Sequence, residues 1–126
     1  MAGKILIVED NKKNRLLLKD ILMYYGYEVI EAVNGEEGVR LAIEHKPDLI
    51  LMDIQMPVMN GFRAGEALKE NPDTKHIKIV AVTSFAMKGD REKILKAGFD
   101  GYIAKPIDTK QLPEIVKELI GLRRMG

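Results

Sequence analysis

The sequence predicts an α/β fold: a doubly wound, five-stranded parallel sheet with helices on both faces, forming one domain over residues 1–126. Three observations predict it. Apolar runs without alternation recur at Ile5-Leu6-Ile7-Val8, Leu49-Ile50-Leu51-Met52 and Ile79-Val80-Ala81-Val82. Helix-period stripes occupy the intervals between them. Each run then breaks into polar, chemistry-bearing residues. A short run that is apolar at every position needs cover on both faces, which a parallel sheet between two helix layers supplies.

Taken in order, Ile5 to Val8 form the first strand. Leu16, Leu17, Ile21 and Leu22 mark a helix after Asn14, and Gly26 is a natural stop for it. Glu28-Val29-Ile30-Glu31-Ala32 mixes polar and apolar residues and suits an edge strand. Val39, Ala42 and Ile43 mark the second helix, which ends before Pro47. Leu49 to Met52 form the third strand, Phe62 to Glu70 the third helix, closed by Asn71-Pro72, and Ile79 to Val82 the fourth strand. Ile94, Leu95 and Ala97 mark a fourth helix ending at Gly98. Gly101-Tyr102-Ile103-Ala104 is a short fifth strand, also expected at an edge. Leu112, Ile115, Val116, Leu119 and Ile120 carry the clearest 3.6-residue repeat, a helix expected to end at Gly121. Strands and helices in strict alternation imply right-handed βαβ crossovers.

Composition narrows the function classes. With 126 residues, 46% apolar content and interspersed charge, the chain can bury a core of its own and is expected to be soluble. A net charge of +1 without a concentrated basic face argues against direct nucleic-acid binding. No cysteine is present, so disulfides and thiolate metal sites are excluded. The four-residue apolar run near the N-terminus is too short for a signal peptide, and no stretch approaches a membrane span. The expected location is therefore the cytoplasm, with no membrane association. No DNA-binding output domain is expected after the fifth helix. Tyr24, Tyr25 and Tyr27 are expected to pack around the end of the first helix, and His45 and His76, without ligand companions, to lie at the surface.

The chemistry lies where the strands end. The first runs into Glu9-Asp10, the third into Asp53, the fourth into Thr83-Ser84 and the fifth into Lys105-Pro106. In an open parallel sheet the carboxyl ends of the strands share one edge, where ligands bind. Each residue alone has an ordinary explanation: an acid after a strand often caps the next helix, a threonine sits in a turn, a lysine is solvated. Four strand ends carrying complementary chemistry point instead to one site. Three clustered carboxylates repel one another, and a hard divalent cation with oxygen ligands, Mg²⁺, relieves this while leaving room for a phosphate oxygen. Lys105 supplies a compact positive charge and Thr83 a hydroxyl, both suited to a phosphoryl group. With no cysteine and no histidine nearby, Asp53 is the candidate nucleophile, forming an acyl phosphate.

These motifs, in this order, resemble the response-regulator receiver domains, the CheY-like family: Val8-Glu9-Asp10-Asn11, Leu51-Met52-Asp53-Ile54-Gln55-Met56-Pro57, Asn60-Gly61, Val82-Thr83-Ser84 and Tyr102-Ile103-Ala104-Lys105-Pro106. The match runs from about Lys4 to about Ile120. The stretch from Ser84 to Asp90 is worded like that of DivK-type single-domain regulators. The resemblance implies a flavodoxin-like sheet of order 2-1-3-4-5 and Asp53 as phosphoacceptor. It implies Mg²⁺ held by Asp10, Asp53, Glu9 directly or through water, and the backbone carbonyl of Gln55. It also implies Thr83 and Lys105 on the phosphoryl group and a cis Lys105-Pro106 bond. In that family the positions of Gln55 and Phe85 tune hydrolysis of the acyl phosphate. The resemblance further implies that Thr83 and Tyr102 form a switch that reshapes the face made by the fourth helix, fifth strand and fifth helix. Met56, Met59 and Met87 border that face, and Gly61 suits a tight turn with positive φ. Partners implied are a histidine kinase or histidine phosphotransfer protein as donor and a protein target on the switched face, the receiver being a monomer or weak dimer.

Rival readings remain at this level. A receiver cut from a hybrid histidine kinase has the same motifs. A haloacid-dehalogenase-like phosphatase also forms an aspartyl phosphate, but carries a second acid where this chain has Gln55. A flavodoxin shares the fold, yet Glu9-Asp10 would repel the flavin phosphate and the chain has no tryptophan. A degenerate receiver, acting only as a docking module, would lack some of the acids, hydroxyl and lysine that are all present here.

Overall fold

The computed structural model describes residues 3–55, 60–84 and 88–125. Strands and helices alternate through the chain: β1 (Lys4–Val8), α1 (Lys12–Tyr24), β2 (Glu28–Ala32), α2 (Gly35–His45), β3 (Leu49–Asp53), α3 (Gly61–Glu70), β4 (Lys78–Thr83), α4 (Lys88–Lys96), β5 (Gly101–Ala104) and α5 (Gln111–Met125). The strands pair in parallel in the order β2-β1-β3-β4-β5. The three wholly apolar runs are the three central strands, and the two mixed segments are the edges. Centrality explains the composition: β1, β3 and β4 are covered on both faces, so neither face tolerates a polar side chain.

Side-chain alternation sends residues of each strand into two cores. Leu6, Val8, Ile50, Met52, Ile79 and Ala81 pack with Ala42 of α2, Ala64 and Leu68 of α3 and Ile94 of α4. Ile5, Ile7, Leu49, Leu51, Val80, Val82 and Ile103 pack with Leu18 and Leu22 of α1 and Leu112, Val116 and Ile120 of α5. Burial on both faces leaves the carboxyl edge of the sheet as the place where functional groups can emerge.

Three helices begin at that edge behind an asparagine. Asn11, Asn34 and Asn60 accept hydrogen bonds from the backbone N–H of Asn14, Glu37 and Arg63 at 3.0, 2.8 and 3.0 Å. Each cap satisfies a backbone donor that the first helical turn leaves unpaired. Asn11, not Glu9 or Asp10, therefore starts α1, and the acidic pair is released from a capping role.

Several expectations need correction. The buried face of α1 is Leu18 and Leu22, with Ile21 partly buried, whereas Leu16 and Leu17 point outward. Three consecutive leucines fit two stripes one residue out of phase, and contact with the sheet selects the later one. Ile43 and Leu95 are likewise exposed, beside the buried Ala42 and Ile94. Tyr24 and Tyr25 do not pack against the core: they are 83% and 53% exposed and meet edge to face, while only Tyr27 joins the α1–α5 core. α5 continues through Gly121 to Met125. A single glycine costs a helix only about 1 kcal/mol, and the packing of Leu112, Val116 and Ile120 outweighs it. Gly26 and Gly98 do close α1 and α4 with positive φ, and His45 and His76 are exposed. Phe85, Met56, Met59 and Met87 lie outside the described residues.

Gly61 is required for a different reason from the one expected. Its φ is not positive; it is the first residue of α3, and its N–H donates to Ile54 O at 3.0 Å. A Cβ there would lie 2.4 Å from Asp53 O and 2.6 Å from the Ile54 Cα. At Gly121, by contrast, a Cβ would meet no atom within 4 Å. Gly61→Ala is expected to destabilise the fold by about 2 kcal/mol or more by overpacking backbone that cannot yield, and Gly121→Ala to stabilise it by about 0.5–1 kcal/mol. Urea denaturation of the two variants checks both signs.

Candidate functional site

Four strands deliver the site. Glu9 and Asp10 follow β1, Asp53 ends β3, Thr83 ends β4 and Lys105 follows β5. The register explains why they meet: Val8 pairs with Met52, Asp53 with Val82, and Thr83 with Ala104, so successive strand ends lie level. The N–H of Lys105 donates to Thr83 O at 2.8 Å, extending that ladder by one bond, and the Lys105-Pro106 peptide that follows is cis.

Carboxylate oxygens of Glu9, Asp10 and Asp53 all lie within 4.8 Å of one another. Glu9 and Asp53 are 1% and 2% exposed, so water barely screens them, while Asp10 is exposed. Lys105 Nζ reaches between the two buried acids, 3.2 Å from Glu9 Oε1 and 3.3 Å from Asp53 Oδ2. The other oxygen, Asp53 Oδ1, accepts from the N–H of Gln55 at 3.0 Å. Among the described residues, Lys105 makes an ion pair with Glu9 but no well-formed hydrogen bond reaches either Glu9 oxygen.

The electrostatics follow from this crowding. When all are ionised, three carboxylates face one ammonium, leaving two negative charges uncompensated. Burial, and then the neighbouring Asp53, push the Glu9 carboxyl up to about 7, with Lys105 pulling only partly the other way. Burial alone would lower the Lys105 ammonium, but Asp53 and Glu9 together hold it above its usual value, so it stays charged. A buried acid held by one lysine, beside two more carboxylates, fits a hard divalent cation of matching charge.

Seven of the residues singled out in the sequence can be placed, Phe85 lying outside the described residues. Glu9, Asp10, Asp53 and Lys105 converge as expected. Thr83 is buried and lines a cavity of about 280 Å³ with Ile54, Gln55, Asn60 and Phe62 at the foot of α4. Gln55 contributes more than its place in the motif implies: its side-chain oxygen accepts from the N–H of Ser84 at 3.0 Å, tying the end of β3 to the end of β4. Tyr102 lies on the opposite side of β5 from Lys105, packed against the α2–α4 core, with its hydroxyl accepting from Arg91 Nη1 at 3.0 Å. One residue escaped the sequence: Arg15 of α1 donates from Nη1 to Glu9 O at 2.9 Å.

With this geometry in place, comparison with known proteins decides the family. The family model of the response regulator receiver domain matches residues 5–117. This chain is a response regulator receiver domain. The receiver is 46% identical over 121 residues to the polar-differentiation response regulator DivK of Brucella anthropi, covering 96% of this chain and 98% of that protein. It resembles the receiver domain of a Pseudomonas aeruginosa sensor histidine kinase at 36% identity and a TM-score of 0.88, over 96% of this chain and 99% of that one. In that relative a magnesium ion is coordinated in the active-site cleft. Chemotaxis protein CheY4 of Vibrio cholerae superposes with a TM-score of 0.89 at 27% identity, over 94% of this chain and 99% of that one. Membership of this family does not favour the phosphatase or flavodoxin readings.

The raised Glu9 carboxyl has a measurable consequence for the metal-free receiver. Folded Glu9 holds its proton up to about 7, whereas an unfolded glutamate releases it near 4.5. The folded state binds the extra proton between those values, so stability falls as pH rises from about 5 to about 8. Glu9→Gln removes this contribution and flattens the dependence. Thermal melts in EDTA across that range measure it; equal slopes in wild type and variant would contradict the assignment.

Proposed function

We propose that this receiver accepts a phosphoryl group on Asp53 from a phosphohistidine of a histidine kinase or histidine phosphotransfer protein, and that phosphorylation switches a protein-docking face. The observation that carries the reading is the placement of Asp53: buried, between a charged lysine and an acidic pair, at the carboxyl edge of the sheet. In the transfer, a carboxylate oxygen of Asp53 attacks phosphorus. An O–P bond forms, the N–P bond to the donor imidazole breaks, and that nitrogen keeps the electron pair and picks up a proton. Water later cleaves the acyl phosphate, returning the carboxylate and inorganic phosphate. The receiver thus catalyses its own phosphorylation and slow dephosphorylation and does not turn over a metabolic substrate.

Glu9, Asp10, Asp53 and the backbone carbonyl of Gln55 would hold Mg²⁺. Bound there, the ion supplies positive charge to the phosphoryl oxygens as negative charge spreads over them. Lys105 adds a second positive centre and releases its hold on Asp53 toward the phosphoryl group. Thr83, at the end of β4, supplies a hydroxyl on the other side.

The docking face is that of α4, β5 and α5. Tyr102 lines a groove there with Leu95, Gly101, Ile115 and Leu119. Its ring lies 5.8 Å beneath the Arg91 guanidinium, tying β5 to α4. Movement of Thr83 toward a phosphoryl group would free space into which Tyr102 turns, changing what α4 and β5 present to a protein target. Correspondence with DivK over 98% of that protein's length supports reading the chain as a response regulator that signals through protein docking. No helix among the described residues is long and apolar enough to cross a membrane, which accords with work in the cytoplasm, and the balanced charge offers no route to direct nucleic-acid binding.

Asp53→Asn keeps the shape of the side chain and removes the nucleophile. Incubation with acetyl phosphate and Mg²⁺ is expected to give an adduct of about 80 Da, the mass of one phosphoryl group, labile in both acid and base as an acyl phosphate is, on the wild type and none on the variant. An adduct retained by a folded Asp53→Asn protein would refute the acceptor.

A further inference from the structure

The acidic pair lies on a turn that needs holding. Glu9 and Asp10 follow the last residue of β1, and Asn11 already caps α1. The N–H of Glu9 donates to Ala32 O of β2 at 3.0 Å, which fixes one side of the residue. Its carbonyl belongs to the Glu9–Asp10 peptide plane, and rotation of that plane would swing the Asp10 side chain away from Glu9 and Asp53. Arg15 reaches back from α1 and donates from Nη1 to that carbonyl at 2.9 Å. Its Nε faces Glu31 Oε1 of β2 at 3.3 Å, and Lys19 Nζ takes the other oxygen of Glu31 at 3.2 Å. The Arg15 side chain is only 14% exposed. β2 pairs with β1 so that Glu31 stands opposite Ile7, two residues before Glu9.

We infer that Arg15, braced by Glu31, is a positioning residue for the metal site: it locks the Glu9–Asp10 peptide plane and so sets how well the acidic pair grips Mg²⁺. The inference rests on the reading of the acidic cluster as a Mg²⁺ site. A planar guanidinium can meet the carbonyl and the carboxylate at once, through two nitrogens held in fixed relation. Lysine, with one ammonium on a flexible stem, cannot satisfy both. The ionic partner Glu31 also neutralises a positive charge that would otherwise repel the incoming cation.

For Arg15→Gln, Coulomb's law and positioning predict opposite signs, which makes that variant discriminating. Removing a positive charge near a cation site should by itself tighten Mg²⁺ binding; loss of positioning should loosen it. For Arg15→Gln and Arg15→Lys the expected result is a Mg²⁺ Kd weakened about tenfold or more, the usual cost of losing a group that orients a metal ligand. Titration calorimetry on the metal-free protein reads it directly. Arg15→Lys keeps the charge, so its loss of affinity reports positioning alone, and it covers the case in which Arg15→Gln folds poorly; Glu31→Gln, which leaves Arg15 in place but unbraced, is expected to weaken binding less than either. Acetyl phosphate labelling at saturating Mg²⁺ should return close to the wild-type rate, because the acceptor, Thr83 and Lys105 are untouched. Unchanged or tighter Mg²⁺ binding in folded Arg15→Lys and Glu31→Gln overturns the inference while leaving the Mg²⁺ site intact. A wild-type protein that binds no Mg²⁺ refutes the underlying reading instead.

Discussion

Two carboxylates that solvent hardly reaches, Glu9 and Asp53, face a single ammonium, Lys105, across little more than 3 Å. Burying like charges together is strongly unfavourable, and here the arrangement is incomplete without more positive charge, because Asp10 adds a third acid and one ammonium serves them all. Part of the relief in the free receiver comes from protonation of Glu9, whose carboxyl is pushed up to about 7. A divalent cation removes the need for that proton. Strain of this kind is a binding energy held in reserve: whatever brings positive charge, or spreads negative charge onto Lys105, is favoured at this spot.

The rest of the fold holds that cluster in place. A parallel sheet with three central strands buried on both faces gives rigid, level strand ends. Asparagine caps start α1, α2 and α3 immediately beyond them without using the acids. Gly61 lets α3 begin against the backbone of Asp53 and Ile54, closer than any side chain would permit. Gln55 bridges from β3 to the N–H of Ser84. These devices lie on different elements, yet each fixes backbone close to a strand end.

How much of this the sequence reveals depends on the range of the interaction concerned. Burial on both faces is written locally, so the apolar runs locate β1, β3 and β4 to within a residue, and their polar sequels single out Glu9, Asp10, Asp53 and Thr83, while Lys105 follows the mixed edge segment of β5. Helix phase is less local. Leu16, Leu17 and Leu18 are chemically alike, and only contact with the sheet chooses Leu18. The extent of α5 past Gly121 depends on packing elsewhere on the helix. Gly61 reads as a turn glycine because its neighbours suggest one, while the actual constraint is the close approach of the backbone at the end of β3. Arg15 is the extreme case: its two partners are Glu31 of β2 and the residue that follows β1, and their proximity follows only from the strand order.

The register also suggests why the proposed acceptor and the outer face of β5 can be linked without a long chain of side chains. Asp53 pairs with Val82, Thr83 with Ala104 and Ala81 with Tyr102, so acceptor, hydroxyl and aromatic ring are separated by two strand steps. The small side chain of Ala81 leaves the ring of Tyr102 room on the α4 side, and the hydroxyl of that ring is held by Arg91. Lys105 and Thr83 are already joined through the backbone by the Lys105 N–H bond to Thr83 O. A displacement at the end of β4 would therefore pass to β5 through the sheet's own hydrogen bonds and to α4 through one tyrosine. Close packing makes such a path abrupt: side chains seated in a dense core move between distinct arrangements more readily than they deform, which is what a two-state signal requires.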